Sequence, residues 1–278
     1  MGIRDQLRFA ADAVRKVQGS TILDQVANQL TIRTRVERLG AGLKLPDADL
    51  VILGQVLSEL DVALAPAERI ARHAALAADL LERVVAPDGS LVIVEPALRE
   101  RARHLHAVRD RLASAGATVF APCLHAAGCP VLATEGEWCH EDLPVDLPPW
   151  VVPLARAAGL RWQRLTFAYL VLRRDARRLV DRAPREPTEG SRVHLRVVSE
   201  LMRTKGKAEI FTCTSEGHRV RMRRLDRDAV TAGAGANASA AWSALGRGDV
   251  LTIAGAAPID ERGRVAATAE IDVWPTGK

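Results

Sequence analysis

The sequence predicts an α/β protein in which a mainly parallel sheet with helical crossovers is followed by a small C-terminal β-barrel-like domain. Three observations carry this expectation. The short apolar runs "DLVILGQVL", "SLVIVEP" and "ATVFAP" alternate with helical stretches, the order of βαβ units and a parallel sheet. Beyond the polar, Pro- and Glu-rich stretch "DRAPREPTEGS", apolar residues recur at every second position instead. Charge also divides along the chain: residues 1–150 hold 16 Lys+Arg and 20 Asp+Glu, a net of −4, whereas residues 151–278 hold 23 and 14, a net of +9.

Taken in order, "RDQLRFAADAVRKV" reads as an amphipathic helix and "DLVILGQVL" as a strand buried on both faces. In "PAERIARHAALAADLLERVV" the apolar residues Ile70, Ala74, Ala77, Leu81 and Val84 fall at helical spacing. "APDG" reads as a turn, "SLVIVEP" as a second buried strand, and "ALRERARHLHAVRDRLASAG" as a helix ended by Gly116. "ATVFAP" gives a third strand, and "LRWQRLTFAYLVLRR" one or two more without an intervening helix, which suits a sheet closed by antiparallel strands. After the linker at 181–191, "RVHLRVV" and "HRVRMRRL" alternate with period two, and "DVLTIAGA" and "VAATAEIDVW" follow between turns. The expected domains are 1–183, carrying a cysteine-rich metal loop at 123–150, and 184–278, a β domain of the oligonucleotide-binding kind.

At 278 residues the chain is long enough to bury a proper core. Its longest apolar runs stop short of the roughly 20 residues a membrane span needs, so no membrane partner is expected. The N-terminus lacks a signal-peptide core and carries Asp5 and Asp12 against a transit-peptide reading, which makes a cytoplasmic location the default. In a reducing compartment the four cysteines read as metal ligands, catalytic groups or buried thiols rather than disulfides.

Three of those cysteines lie in "CLHAAGCPVLATEGEWC" with the spacing C-x5-C-x9-C, and Cys213 follows 74 positions later. The C-x2-4-C knuckles of structural zinc sites are absent, while [4Fe–4S] ligand spacings vary more widely. A 28-residue stretch from Cys123 to Trp150 without clear secondary structure is unusual in a compact domain unless something organises it. Iron–sulfur, zinc and unrelated thiols all remain open on spacing alone. His125 and His140 flank the cysteines as further candidate zinc ligands or as supporting groups.

"DLVILGQVLSEL", its following helix, the turn "PDG" and "SLVIVEP" resemble the central part of a class I methyltransferase that uses S-adenosylmethionine. That resemblance places Gln55 at the strand tip near the cofactor, with Ser58 and Glu59 beginning the next segment. The chain starts at what reads as the helix after the second strand of such a fold. The glycine-rich loop and the acidic residue that hold the cofactor are therefore expected to be missing, and S-adenosylmethionine binding and methyl transfer weak.

A second resemblance is more specific. The segments "PCLHAAGCP" (Pro122, Cys123, His125, Cys129, Pro130), "WCH" (Trp138, Cys139, His140) and "FAYLVLRR" (Phe167 to Arg174) resemble the methyltransferase-like ribosome assembly proteins of the mitochondrial small subunit and their bacterial relatives, over roughly residues 1–230. The resemblance implies a [4Fe–4S] cluster held by Cys123, Cys129, Cys139 and Cys213, and association with small-subunit rRNA and ribosomal proteins during assembly or translation. It leaves as alternatives an S-adenosylmethionine-dependent rRNA methyltransferase and a zinc-stapled nucleic-acid-binding module. The bunched cysteines would organise the loop, and Cys213 would tie the second domain to it. Arg192, Arg196, Arg219, Arg221 and Arg223 alternate with apolar residues on their strands, so each set projects away from the barrel interior as a candidate RNA-binding face.

Overall fold

The computed structural model describes residues 33, 36, 39, 44–160, 163–183, 190–228 and 234–274. The chain divides into Met1–Leu45 and Pro46–Lys278 as compact units, and all that follows concerns the second. The expected helix "RDQLRFAADAVRKV" and most of the linker lie outside the described residues.

Strand β1 (Ala48–Gly54) pairs in parallel with β2 (Val85–Pro96). The expected turn before β2 lies inside the strand as a bulge, because pairing jumps from Ala48↔Val85 to Leu50↔Ser90. Gly89 is required there: a Cβ would stand 2.7 Å from the Asp49 carbonyl oxygen. Helix α1 (Pro66–Arg83) connects the two strands and buries Ala74, Ala77, Leu80 and Leu81, the face its apolar spacing dictates. Helix α2 (Arg99–Ser114) buries Ala102, Leu105, Val108 and Leu112. Gly116 takes a φ of +91°, while the Gly116 and Ala117 amides bond back to the Ala113 and Leu112 carbonyls, the left-handed stop expected of that glycine.

The sheet is mixed rather than mainly parallel. Strand β3 (Thr118–Ala121) does not pair with β2; β5 (Arg164–Arg173) enters between them, antiparallel to both, giving the order β1-β2-β5-β3. Ala168, Leu170 and Leu172 of β5 bury one face of this insertion. The loop after β3 is also more ordered than its sequence suggests. A 3-10 turn spans Pro130–Ala133, and β4 (Glu141–Pro144) pairs antiparallel with β5. At the other end β1 leaves Leu50 and Ile52 exposed, against the expectation of burial on both faces. A short helix, α3 (Val152–Ala157), precedes β5.

The second sheet is antiparallel throughout and curled. It contains β6 (Ser191–Val197), β7 (Met202–Thr204), β8 (Lys207–Thr214), β9 (Arg219–Leu225), β10 (Val250–Gly255) and β11 (Glu270–Val273), in the order β11-β10-β6-β8-β7 with β9 on β8. Leu195, Val197, Ile210, Met222, Leu251 and Ile253 fill its interior with Trp242 of helix α4 (Ala234–Ala244). A smaller cluster of Leu124, Val250 and Trp274, packed against Leu179 and Val180, joins the cysteine loop to this sheet. Among the described residues no helix is long and apolar enough to cross a membrane.

Candidate metal centre

One face of α2 staples the cysteine loop. Arg103, His106, Arg109 and Asp110 recur every three or four residues, so they stand together on the helix surface. Arg103 donates to the carbonyls of Val131 (2.8 Å), Thr134 (3.0 Å), Glu137 (2.7 Å) and Leu132 (3.2 Å). Arg109, only 2% exposed, donates to the carbonyls of His125 and Ala127 and to the Asp110 carboxylate at 2.7 Å. That carboxylate accepts the Cys129 amide at 2.8 and 3.1 Å. His106 Nε2 lies 3.0 Å from the Cys139 carbonyl oxygen. Sequence reasoning passed over these four side chains, although their helical spacing is legible.

The second sheet closes the site from the other side. Register places Arg196 of β6 opposite Cys213 of β8, and Cys213 opposite Arg219 of β9, so the three form one row across one face. That face meets the loop at each position: Arg196 pairs with Glu141 and donates to Cys139 Sγ at 3.6 Å, Cys213 Sγ lies 3.4 Å from His125 Nε2, and Arg219 pairs with Glu137. Two of the arginines expected to contact RNA are thus engaged by the loop. Arg196 and Arg219 do point away from the barrel interior, but the cysteine loop occupies that side, and Arg196 is 4% exposed. Arg221 is exposed and bonds Glu209 at 2.8 Å, and Arg192 and Arg223 are half-buried.

All four cysteines are free thiols, and they share one environment. Burial raises the Cys123 thiol, Arg109 opposes that shift, and the Cys139 sulfur adds to it. Cys129 is raised by burial and by Cys123 and Cys139. Cys213 is pushed up to about 12 by burial, then by the same two sulfurs. Cys129 and Cys213 therefore both feel Cys123 and Cys139, and the Arg109 and Arg196 guanidiniums stand close enough to act on Cys123 and Cys213. Among the described residues no three His, Cys, Asp or Glu side chains converge as the ligands of one ion.

The strand-tip candidates are less coherent. Gln55 follows β1 with φ +56° and is exposed, and Glu59 is exposed as well. Ser58 is buried; its hydroxyl donates to the Gln55 carbonyl, and the Leu57 and Ser58 amides donate to the buried Glu95 carboxylate at 2.8 and 3.1 Å. Ser58 lines a cavity of about 820 Å³, which Gln55 and Glu59 do not. His104 lines it too and lies 2.8 Å from the buried His73, whose other nitrogen approaches Asp61 at 3.8 Å.

Burial, then His73, lowers His104 to about 4 from 6.5. Between those values an unfolded histidine binds a proton that folded His104 refuses, so stability falls as pH drops through this window. The thermal midpoint is expected to decrease from pH 7 to 4.5, and to decrease less in His104→Gln; parallel pH profiles would contradict this.

A family model described as mitochondrial small ribosomal subunit Rsm22 matches residues 6–249, a span that takes in the first sheet, the loop, β6 to β9 of the second sheet and Cys213. No curated protein matches the chain. The matched span covers most of the sequence, and the chain belongs to the mitochondrial small ribosomal subunit Rsm22 family.

Proposed function

We propose that the chain is an assembly or translation factor of the small ribosomal subunit that binds rRNA and holds a [4Fe–4S] cluster on Cys123, Cys129, Cys139 and Cys213. The observation that carries this reading is that the β8 strand bearing the distant Cys213 packs against the loop bearing the other three, where the thiols perturb one another, in a chain whose family is ribosomal. The donor set fits. A single zinc needs ligands converging at about 2.0–2.3 Å, whereas a cubane is wider and takes thiolates that stand farther apart. Arg109 and Arg196 supply positive charge against an anionic thiolate set, and the α2 staples hold the loop carbonyls and amides in place. When bound, the cluster supplies a rigid crosslink between the loop and β8.

Methyl transfer is less well supported. Ser58 and its neighbouring amides are engaged internally, and Gln55 and Glu59 stand outside the cavity. These residues do not fit an S-adenosylmethionine pocket, and no catalytic step is assigned to them. The family's description places its namesake in the mitochondrial small subunit, against the cytoplasmic expectation; the shared content is a compartment that contains a small ribosomal subunit.

Arg221 and Arg223, with Arg192, remain as RNA contacts on the second sheet. The test is co-sedimentation of the tagged chain with small-subunit precursor particles over a range of salt. Association is expected, and replacing Arg221 and Arg223 with Ala should lower its salt slope by about 2, one for each phosphate left unneutralised. Failure to sediment with any small-subunit particle would overturn the reading.

A further inference from the structure

Two cavities adjoin where the tip of β2 and the start of α2 meet the cysteine loop, and they share Arg99, Glu100 and Arg101. The larger, of about 820 Å³, continues to Arg69, Arg103 and His104. The smaller, of about 440 Å³, is walled by Leu98 and Trp138. The cysteine site uses neither Leu98 nor the Trp138 ring, which are 64% and 37% exposed. His140 stacks on Trp138 with centroids 5.7 Å apart and planes 20° from parallel. The indole is thereby braced from one side.

The chemistry of this groove is that of a braced aromatic platform beside guanidiniums. Arg69 and Arg103 bond backbone carbonyls, which fixes them without neutralising their charge. Four arginines face three carboxylates, Glu95, Glu100 and Glu135, and Glu95 is occupied by two amides. The excess positive charge, concentrated at Arg99 and Arg101 next to an exposed indole, suits a phosphate chain whose bases stack. Sequence-tolerant recognition of single strands uses this combination.

We propose that the groove is a second RNA-binding site, in which a base of a single-stranded segment stacks on Trp138 and the adjoining phosphates lie at Arg99 and Arg101. The proposal rests on the reading of the chain as an rRNA-binding factor and names a surface separate from Arg192, Arg221 and Arg223. A strand leaving Trp138 past Arg101 enters the larger cavity, whose apolar wall of Leu57, Val62, Leu64 and Ile70 accepts a further base.

The test is a binding titration of the full chain with an oligouridylate of about ten nucleotides at several salt concentrations, repeated with an abasic strand of the same length. Trp138→Ala should weaken oligouridylate binding roughly 10-fold or more and leave abasic binding unchanged, while Trp138→Phe restores most of the loss. Arg99→Ala should reduce the salt slope by about 1 for either strand. Because Trp138 adjoins Cys139, the urea midpoint of each variant is compared with the wild type. If Trp138→Ala does not fold, the slope of Arg99→Ala decides, since that side chain is exposed. Wild-type oligouridylate affinity in Trp138→Ala, or an unchanged slope in Arg99→Ala, overturns the groove. If such a variant still co-sediments with small-subunit particles, only the groove falls; a wild-type chain that binds neither oligonucleotide nor particle removes the proposed function as well.

Discussion

Arg196→Met is expected to lower the unfolding free energy by about 3–5 kcal/mol, the usual cost of leaving a buried ion without its partner. Arg196 and Glu141 form an ion pair with side chains 5% and 6% exposed. Glu141 is enclosed by the loop on one side and by Gly248 on the other, where an added Cβ would come within 2.6 Å of its carboxylate oxygen. Water cannot easily take the place of the guanidinium there. The thioether also leaves the Cys139 sulfur without its donor at 3.6 Å. Pairing Arg196→Met with Glu141→Leu should recover most of the loss, because the unpaired charge rather than the missing attraction accounts for it. Urea unfolding of the two single variants and the double variant measures this; a single-variant loss under about 1 kcal/mol would show that the pair is solvated.

Cys213→Ser is expected to cut bound iron roughly 10-fold or more, and to lower the stability of the loaded chain by several kcal/mol while changing the metal-free chain little. Serine conserves the side-chain shape but is a poor iron ligand at neutral pH. Anything that binds the native state alone stabilises it by mass action, so a lost ligand appears in the loaded form. Cys213 is the one cysteine contributed by the second sheet, and the other three lie on the loop. Its loss should therefore also raise hydrogen exchange at the junction of Leu124, Val250 and Trp274. Wild-type iron content in Cys213→Ser would remove Cys213 from the ligand set.

Much of the fold was legible because it depends on local periodicity. The helices at 66–83 and 99–114, the Gly116 stop and the alternating strands β6 and β9 follow from residue spacing. What remained hidden is non-local. Nothing in "RLTFAYLVLR" specifies that it enters between β2 and β3, because period two fixes the faces of a strand and not its neighbours. The same limit explains Arg196 and Arg219: alternation sets the side to which they point, and the loop residues that cover that side, Glu141 and Glu137, lie 55 and 82 positions earlier in the chain. Helix α4 escaped because "AGANASAAWSA" has no amphipathic stripe. The carboxylate of Glu95 was missed because its partners are backbone amides 37 and 38 residues distant. The four cysteines, by contrast, were grouped in the sequence by their chemistry and their family resemblance, and in the fold the β8 strand that carries Cys213 packs against the loop that carries the other three.

The central claim is that this neighbourhood holds a cubane cluster. Iron, acid-labile sulfide and zinc are to be measured in the full chain produced anaerobically with both metals supplied, and its absorbance recorded near 400 nm. The account predicts about four iron and four sulfide per chain with a broad band that bleaches on reduction. One zinc per chain, with neither sulfide nor the band, would contradict it.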